Sequence, residues 1–166
     1  MATLRTATPA DLDAIMAIER AEFPADAWSA EAMAAELRAP HGRYLVAVDA
    51  VDAVIGYAGV RVGGTQSDVQ TIAVVPERRR EGIGRALLVE LLAEARRRGA
   101  TEAFLEVRAD NPGARRLYEA HGFAEAAIRR GYYPGGVDAV VMRADLASGA
   151  PAPPATGARV IPEASA

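Results

Sequence analysis

The turn that contains Gly82 and Gly84 is the segment of this chain best suited to hold a phosphate. It joins an apolar stretch ending at Val75 to an amphipathic helix predicted to begin at Ile83. Backbone N–H groups at a helix N-terminus have no intrahelical partner, and the helix dipole adds positive potential there. These features predict a site for a phosphate or pyrophosphate group. The turn region also carries the arginines Arg78, Arg79, Arg80 and Arg85.

Two common phosphate-binding loops do not fit this turn. The mononucleotide loop requires a Lys followed by Ser or Thr after its second glycine, and the chain has no Lys, because its 19 basic residues are all Arg. The dinucleotide fingerprint requires three glycines and an acidic residue about 20 positions later. Only two glycines are present here, so the turn belongs to neither nucleotide-binding class.

A second group of side chains suited to chemistry follows on the next predicted strand and helix. Asn111 occupies the predicted N-cap of that helix and Pro112 its first position, which fixes where the helix begins. Tyr118 comes seven residues after Asn111, so it lies on the same helix face two turns later. Glu106 lies on the preceding strand, on the face opposite its apolar neighbours, and can converge with Tyr118 beside the glycine turn. Taken singly, these residues also have structural explanations, namely capping, packing and a solvated strand edge.

The overall composition indicates a small soluble protein with one main domain. The chain has 166 residues, of which 51% are hydrophobic, and this suffices for a core. Its net charge of −3 argues against nucleic acid as a partner, since that requires clustered cations. The absence of Cys excludes disulfides and a cysteine nucleophile, and we expect no metal. No apolar run approaches a membrane span and no signal peptide is recognisable, so we expect no membrane partner and a cytoplasmic location.

The hydrophobic pattern predicts an α/β domain over residues 1–146. Beyond residue 147, Ala, Pro, Gly and Ser dominate without apolar periodicity, which predicts a disordered tail over residues 147–166. The predicted strands cover residues 3–6, 44–48, 54–62, 69–75, 102–107, 124–129 and 137–143, and the predicted helices cover residues 11–20, 30–38, 83–98 and 112–121.

Both chemical segments resemble parts of one known family. The pattern Arg79-x-x-Gly82-x-Gly84 after an apolar strand resembles motif A of the GNAT superfamily of N-acetyltransferases, where the turn wraps the pyrophosphate of acetyl-coenzyme A (acetyl-CoA). The segment from Glu106 to Phe123 resembles, more specifically, the RimI-type ribosomal-protein alanine N-acetyltransferases, and the resemblance covers about residues 3–145. It implies the GNAT fold, with a mixed, mostly antiparallel central sheet flanked by helices on both faces and splayed at the cofactor site.

The resemblance implies a role for each matching residue. Glu106 matches the family's general base and Tyr118 its general acid, while Asn111 would contact acetyl-CoA near its thioester. The strand before the turn would offer its backbone to the pantetheine arm. The implied cofactor-binding residues are Ile72, Ala73, Val74, Arg79, Arg80, Glu81, Gly82, Ile83, Gly84, Arg85 and Asn111, and the implied acceptor-binding residues are Phe23, Trp28, Tyr132 and Tyr133, with the two tyrosines placed between the last two strands.

The sequence departs from the family pattern in three places. Arg79 stands where Gln is common, and Glu81 places an acidic side chain inside the turn, where it has to point away from a phosphate. The segment over residues 23–28 is longer than the shortest spelling in the family. The acceptor preference of this chain can therefore differ from that of its relatives.

The expected function is the transfer of acetyl from acetyl-CoA to the N-terminal alanine of a small-subunit ribosomal protein. An α-amine has a pKa of about 8, whereas a lysine amine at about 10.4 is harder to deprotonate, which favours an N-terminal acceptor. Without Cys in the chain, we expect direct attack of the amine in a ternary complex.

Two alternatives stay open at this stage. The chain could acetylate other N-termini, lysines or small amines, or it could be a non-catalytic acyl-CoA-binding module. Such a module would need neither Glu106 nor Tyr118, which argues against it. We expect a protein N-terminus as partner and a monomer or weak dimer.

Overall fold

The computed structural model describes residues 2–147 and 159–161. These residues form one eight-stranded sheet and four α-helices. Two short 3₁₀ helices, Pro9–Asp11 and Pro76–Arg78, precede α1 and α3. The strands are β1 (Ala2–Thr6), β2 (Gly42–Val48), β3 (Val54–Gly63), β4 (Gln66–Val74), β5 (Glu102–Arg108), β6 (Phe123–Tyr133), β7 (Val137–Asp145) and β8 (Arg159–Ile161), and the helices are α1 (Leu12–Glu22), α2 (Ala30–Arg38), α3 (Ile83–Arg97) and α4 (Pro112–Glu119).

The helix boundaries follow from local capping chemistry. The Ser29 hydroxyl accepts a hydrogen bond from the Ala32 N–H at 3.1 Å, which satisfies one free donor at the start of α2. Asn111 caps α4 in the same way, accepting from the Ala114 N–H at 3.2 Å. After α3, Gly99 adopts a φ of 93°, the left-handed conformation that ends many helices. The predicted start of α4 at Pro112 and the predicted span of α2 are confirmed.

The strand order β6-β7-β5-β4-β3-β2-β1-β8 places the parallel pair β4 and β5 near the middle of an otherwise antiparallel sheet. These two strands pair over three positions only, with Gln66, Ser67 and Asp68 opposite residues 102–104. Beyond Asp68 both strands continue without pairing to each other, so a wedge-shaped cleft opens between them. The predicted splay of the sheet is confirmed.

Helices cover both faces of the sheet, as predicted. On one face, α3 contributes Leu87, Leu88 and Leu91 to a core that is continuous with β3, β5 and β7, and α4 packs against its edge. On the other face, α1 and α2 pack Ile15 and Met33 against β2 and β3. We call these the α3-side core and the α1-side core. The GNAT-type fold class expected from the sequence is confirmed.

Two stretches differ from the sequence predictions. Strand β6 extends to Tyr133, so Tyr132 and Tyr133 lie at the end of this strand and not in the connection after it. In the predicted disordered tail, Arg159–Ile161 forms β8, which pairs antiparallel with β1 at the sheet edge. The absence of apolar periodicity gave no signal for a strand there. The remaining tail positions, 148–158 and 162–166, lie outside the described residues.

No helix among the described residues is long and apolar enough to span a membrane. Within the same residues, no group of three or more His, Cys, Asp or Glu side chains is arranged to hold a metal ion.

Candidate active site

The turn between β4 and α3 presents a run of unpaired backbone donors. Arg80 and Gly82 have φ values of 64° and 80°, so the chain turns sharply before α3 begins at Ile83. The first bond to close the helix runs from the Ala86 N–H to the Gly82 carbonyl at 3.0 Å. Within the described part of the chain, the N–H groups of residues 80–85 have no hydrogen-bond acceptor. This arrangement fits a pyrophosphate, which would take up several of these donors at once.

Glu81, the acidic residue of the turn, is paired with a neighbouring arginine, which reduces its repulsion of an anion at the turn. The Glu81 carboxylate accepts a hydrogen bond from Arg78 Nε at 2.7 Å, and this bond lowers the pKa of Glu81. Arg79 is directed toward α1, where it pairs with Glu22. The side chains of Arg80 and Arg85 are exposed, and neither forms an ion pair with another described residue.

The strand before the turn is open on the side of the cleft. Ile72, Ala73 and Val74 pair with β3 on one edge, and beyond Asp68 the other edge has no partner on β5. The backbone groups of that edge can therefore receive an extended amide-containing arm. Ile83 is buried in the α3-side core and anchors the first turn of the helix.

Helix α4 closes the other side of the glycine turn. A Cβ placed on Gly84 would lie 3.8 Å from the Leu117 side chain, so Tyr118, the next residue, belongs to the helix that borders this turn. The Tyr118 ring packs edge-on against Phe123, with ring centroids 6.0 Å apart, and burial raises the pKa of Tyr118 to about 12. Its phenol is therefore protonated at neutral pH. Asn111 lies at the start of the same helix, exposed, with its side-chain oxygen engaged in the cap.

Glu106 lies on β5 and points away from the core. Its neighbours Leu105 and Val107 are buried, whereas the Glu106 carboxylate is partly exposed and lies 3.4 Å from Arg129 Nε on β6. Hydrogen bonding to Glu106 and its negative charge raise the pKa of Tyr132. The structure thus brings Glu106 and Tyr132 together.

A bulge in β6 places both tyrosines at the site. The β6–β7 register shifts between Arg129 and Tyr133, where Gly131 adopts a φ of 63° and donates its N–H to Asp138 Oδ1 at 2.9 Å. The Tyr132 and Tyr133 rings then meet edge to face, with centroids 5.1 Å apart. A regular strand would send adjacent side chains to opposite faces, so the bulge is what allows the two rings to meet.

The loop between α1 and α2 is held by a buried carboxylate. Glu19 is 2% exposed and accepts hydrogen bonds from the Trp28 N–H at 3.1 Å and from the Tyr57 hydroxyl. Burial raises the pKa of Glu19, although the bond from Trp28 partly opposes this. The Phe23 and Trp28 side chains both pack against the α1-side core.

An acidic residue of this loop, Asp26, acts electrostatically on the Tyr133 region. Burial raises the pKa of Tyr133 to about 12, with further contributions from the charges of Glu106 and of Asp26, which lies in the loop. Asp26 also acts electrostatically on Arg108, whose guanidinium lies 5.1 Å from the centroid of the Tyr133 ring. The loop therefore comes close enough to Tyr133 and Arg108 for the charge of Asp26 to act on both.

Sequence reasoning missed several of these residues. Glu19 follows Ile15 by four positions, so helical spacing already placed it on the buried face of α1. No comparable signal identified Arg129 or Asp26, because their proximity to the cleft depends on how separate elements come together.

These features define an acetyltransferase of the GNAT type, and comparison with known proteins agrees. Residues 12–123 match the model of the acetyltransferase (GNAT) family, and the chain belongs to that family. It is therefore an acetyl-CoA-dependent N-acetyltransferase.

Several relatives of the chain belong to one branch of the family. It is 40% identical over 149 residues to the N-alpha-acetyltransferase RimI of Mycobacterium tuberculosis, covering 86% of this chain and 92% of that protein. It is 53% identical over 74 residues to the ribosomal protein bS18-alanine N-acetyltransferase of Escherichia coli, covering 43% of this chain and 50% of that enzyme. The crystal structure of the E. coli S18-alanine enzyme superposes with a TM-score of 0.81 at 34% identity, covering 90% and 97% of the two chains. The RimI-type resemblance is confirmed.

Relatives also differ in length. An uncharacterised protein of Mycobacterium leprae is 43% identical over 144 residues, which is 83% of this chain but only 39% of that protein.

Proposed function

We propose that this protein acetylates the α-amine of an N-terminal alanine, and that its acceptor is a small-subunit ribosomal protein. The names of the E. coli and M. tuberculosis relatives support this choice of acceptor. The observation that carries it is the juxtaposition of Glu106, Tyr132 and Tyr133, with Asp26 of the loop after α1 near enough to act on Tyr133. An extended peptide can enter there with its amine directed to the Glu106 carboxylate.

Each end of the cleft contributes a distinct part of the reaction. The N–H groups of residues 80–85 hold the pyrophosphate of acetyl-CoA, together with Arg80 and Arg85, and the open edge at Ile72, Ala73 and Val74 holds the pantetheine arm. Asn111 contacts the donor near its thioester. These assignments rest on the unpaired donors of the turn and on the unpaired strand edge.

Glu106 acts as the general base. An α-ammonium group has no lone pair and must lose a proton before it attacks; because it does so near pH 8, a carboxylate within hydrogen-bond reach, directly or through a water, can accept that proton. The neutral amine then attacks the thioester, and its second proton leaves as the amide forms. The chain contains no Cys, which is consistent with direct attack without an acyl-enzyme.

Tyr118 acts at the departing sulfur. A free thiol has a pKa of about 8.5, whereas the pKa of Tyr118 is raised to about 12. The phenol is thus the weaker acid. It stabilises the thiolate mainly by donating a hydrogen bond, and the proton that finally reaches the sulfur is balanced by the one that leaves the amine.

The domain assignment and the setting of the reaction belong to the same proposal. Residues 1–146 form the catalytic domain, and residues 147–166 form a tail that is dispensable for catalysis. The enzyme works in the cytoplasm as a monomer or weak dimer, with no nucleic acid as partner. The net charge of −3 supports this last point.

Peptide acetylation tests the acceptor. Wild-type protein is incubated with acetyl-CoA and a peptide that begins with Ala, and the product is mapped by mass spectrometry. We expect acetylation at the α-amine. A matched peptide with a blocked N-terminus and an internal Lys should remain unmodified, and equal modification of both peptides would identify the enzyme as a lysine acetyltransferase.

A further inference from the structure

Arg129 contacts both the proposed general base, Glu106, and the proposed acceptor wall at Tyr132. Its Nε is 3.4 Å from Glu106 Oε1, and its guanidinium carbon is 5.5 Å from the centroid of the Tyr132 ring. A cation over an aromatic face and beside a carboxylate interacts favourably with both. The guanidinium therefore lies beside both Glu106 and Tyr132, which are themselves hydrogen-bonded to each other.

The register of the sheet explains how Arg129 reaches Glu106 across an intervening strand. On β7, Ala139 is the partner of Arg129 on one side and of Arg108 on the other, while Val141 pairs with Glu106. Cross-strand partners share a face, so all these side chains project from the same side of the sheet. The methyl group of Ala139 leaves space over which the long arginine side chain can cross.

A guanidinium and an α-ammonium make the same demand on a carboxylate. Each is a cation with N–H groups, and Glu106 is the carboxylate that faces it in both cases. We propose that Arg129 occupies, in the free enzyme, the position that the acceptor ammonium takes at Glu106, so that the peptide must displace it and Arg129 thereby limits acceptor affinity. This inference rests on the proposed function, because it takes Glu106 as the group that receives the amine.

The surrounding charges show why Arg129 is the displaceable cation. Arg108, the other arginine at the opening, is held by Asp110 at 3.0 Å and by the ring of Tyr133. The side chain of Arg129 is 57% exposed, so it loses little contact with the protein when it moves into water. Exchange of one cation for another leaves the charge of the cleft unchanged.

The matched variants are Arg129→Gln and Arg130→Gln. Arg130 is the next residue on the same strand, exposed, and makes no ion pair with a described residue, so its replacement removes the same charge at nearly the same distance from the cleft. Exposed ion pairs are weak, so we expect Arg129→Gln to lower the KM for the Ala peptide about two- to fivefold. The KM for acetyl-CoA should be unchanged, and Arg130→Gln should leave the peptide KM near its wild-type value.

A double-mutant cycle locates the effect. The peptide Kd is measured by calorimetry with coenzyme A bound, in wild type, in Arg129→Gln, in Glu106→Gln and in the double variant. If Arg129 competes for the carboxylate, Arg129→Gln tightens binding in the wild-type background and has no effect in the Glu106→Gln background.

Three results would overturn the inference. A higher peptide KM in Arg129→Gln would make Arg129 part of the acceptor wall. An equal fall of the peptide KM in Arg130→Gln would show that any nearby positive charge repels the acceptor. An unchanged KM in Arg129→Gln would show that its ion pair with Glu106 does not obstruct binding. Failure of the proposed function looks different, because the wild type would then not acetylate the Ala peptide at all. In that case the same variants are compared on the amine that the wild type does acetylate.

Discussion

The proposed donor side of the cleft and its proposed acceptor side are built from different parts of the chain. The donor side is one continuous segment, in which the end of β4 and residues 80–85 offer backbone groups. The proposed acceptor side is assembled from side chains of β5 and β6, such as Glu106 and Tyr132, and from the loop after α1, which Glu19 holds through the Trp28 N–H. Backbone donors recognise a feature shared by every acyl-CoA, whereas side chains can be exchanged to suit a particular amine.

The two sides also differ in how they are held in place. The shape of the donor turn follows from the φ of Gly82 and the start of α3, so it depends little on distant contacts. The acceptor loop depends on Glu19, a residue of α1 that binds the Trp28 N–H. We therefore expect substitutions on the donor side to act on acetyl-CoA binding, and substitutions on the acceptor side to act on the amine.

The largest effect should come from removal of the proposed base. Glu106→Gln keeps the size of the side chain but cannot accept a proton, and general-base contributions are typically about 10²- to 10⁴-fold in rate. We expect kcat to fall within that range at pH 7 while the thermal shift with acetyl-CoA is retained. The deficit should shrink as the pH rises, since the amine then deprotonates without help.

Glu102→Gln is the matched control for this variant. Glu102 lies on the same strand and on the same side of the sheet, and it pairs with Arg143 at 2.9 Å, away from the tyrosines. It should have nearly wild-type kcat. A wild-type rate in Glu106→Gln at pH 7 would remove Glu106 from the mechanism.

A smaller effect is expected on the donor side. At 100 times its Kd, acetyl-CoA should stabilise the fold by about 2.7 kcal/mol, or roughly 5–10 °C in Tm. In Gly84→Val, the added methyl groups enter the space near Leu117 and Val74 where the donor must pass, so this shift should disappear while the protein stays folded. Scanning calorimetry with and without acetyl-CoA measures it.

The control is Gly63→Val at the far end of β3, where an added Cβ meets no atom within 4 Å. Its thermal shift should match the wild type. If Gly84→Val also keeps the full shift, acetyl-CoA binds elsewhere, and the contrast between a backbone-built donor side and a side-chain-built acceptor side fails.

The difference between the two sides also explains what the sequence could predict. The donor turn and the start of α4 are local, and their glycines, caps and apolar spacing indicated them directly. The end of β6 was predicted too early, because the glycines at 131, 135 and 136 suggest a turn where the chain forms a bulge pinned by Asp138. Arg129 was missed since its contact with Glu106 crosses a third strand.

Two buried carboxylates show the same contrast in their electrostatics. Glu94 at the end of α3 is surrounded by Arg97, Arg98 and Arg43, and although burial opposes ionisation, these hydrogen bonds lower the pKa of Glu94 to about 2. Glu19 under the acceptor loop has a peptide N–H and a phenol as partners instead of a cation, and burial raises its pKa. The proposed acceptor loop is thus held by Glu19, the carboxylate whose ionised form is less favoured.

The smallest expected effect is a difference in how Glu19 and Glu94 make the free energy of unfolding depend on pH. A raised pKa means that the folded protein holds the proton of Glu19 more tightly than the unfolded chain does. Its contribution to the free energy of unfolding is therefore complete below the unfolded pKa of about 4.3 and is lost as the pH rises through the folded value. For Glu94 the sign is reversed, because its lowered pKa contributes stability above the unfolded value that is lost as the pH falls toward 2.

Urea unfolding of the wild type, Glu19→Gln and Glu94→Gln at several pH values between 3 and 7 measures this difference. The loss in the free energy of unfolding caused by Glu19→Gln, relative to the wild type, should become smaller as the pH rises, since the amide has no proton to lose. The loss in the free energy of unfolding caused by Glu94→Gln should become larger as the pH rises through the acid part of the range. The wild type then gains an ionised carboxylate held by three arginines, and the variant does not. Parallel curves for the two variants would mean that both carboxylates are equally well compensated, and that the acceptor loop is anchored as firmly as the end of α3.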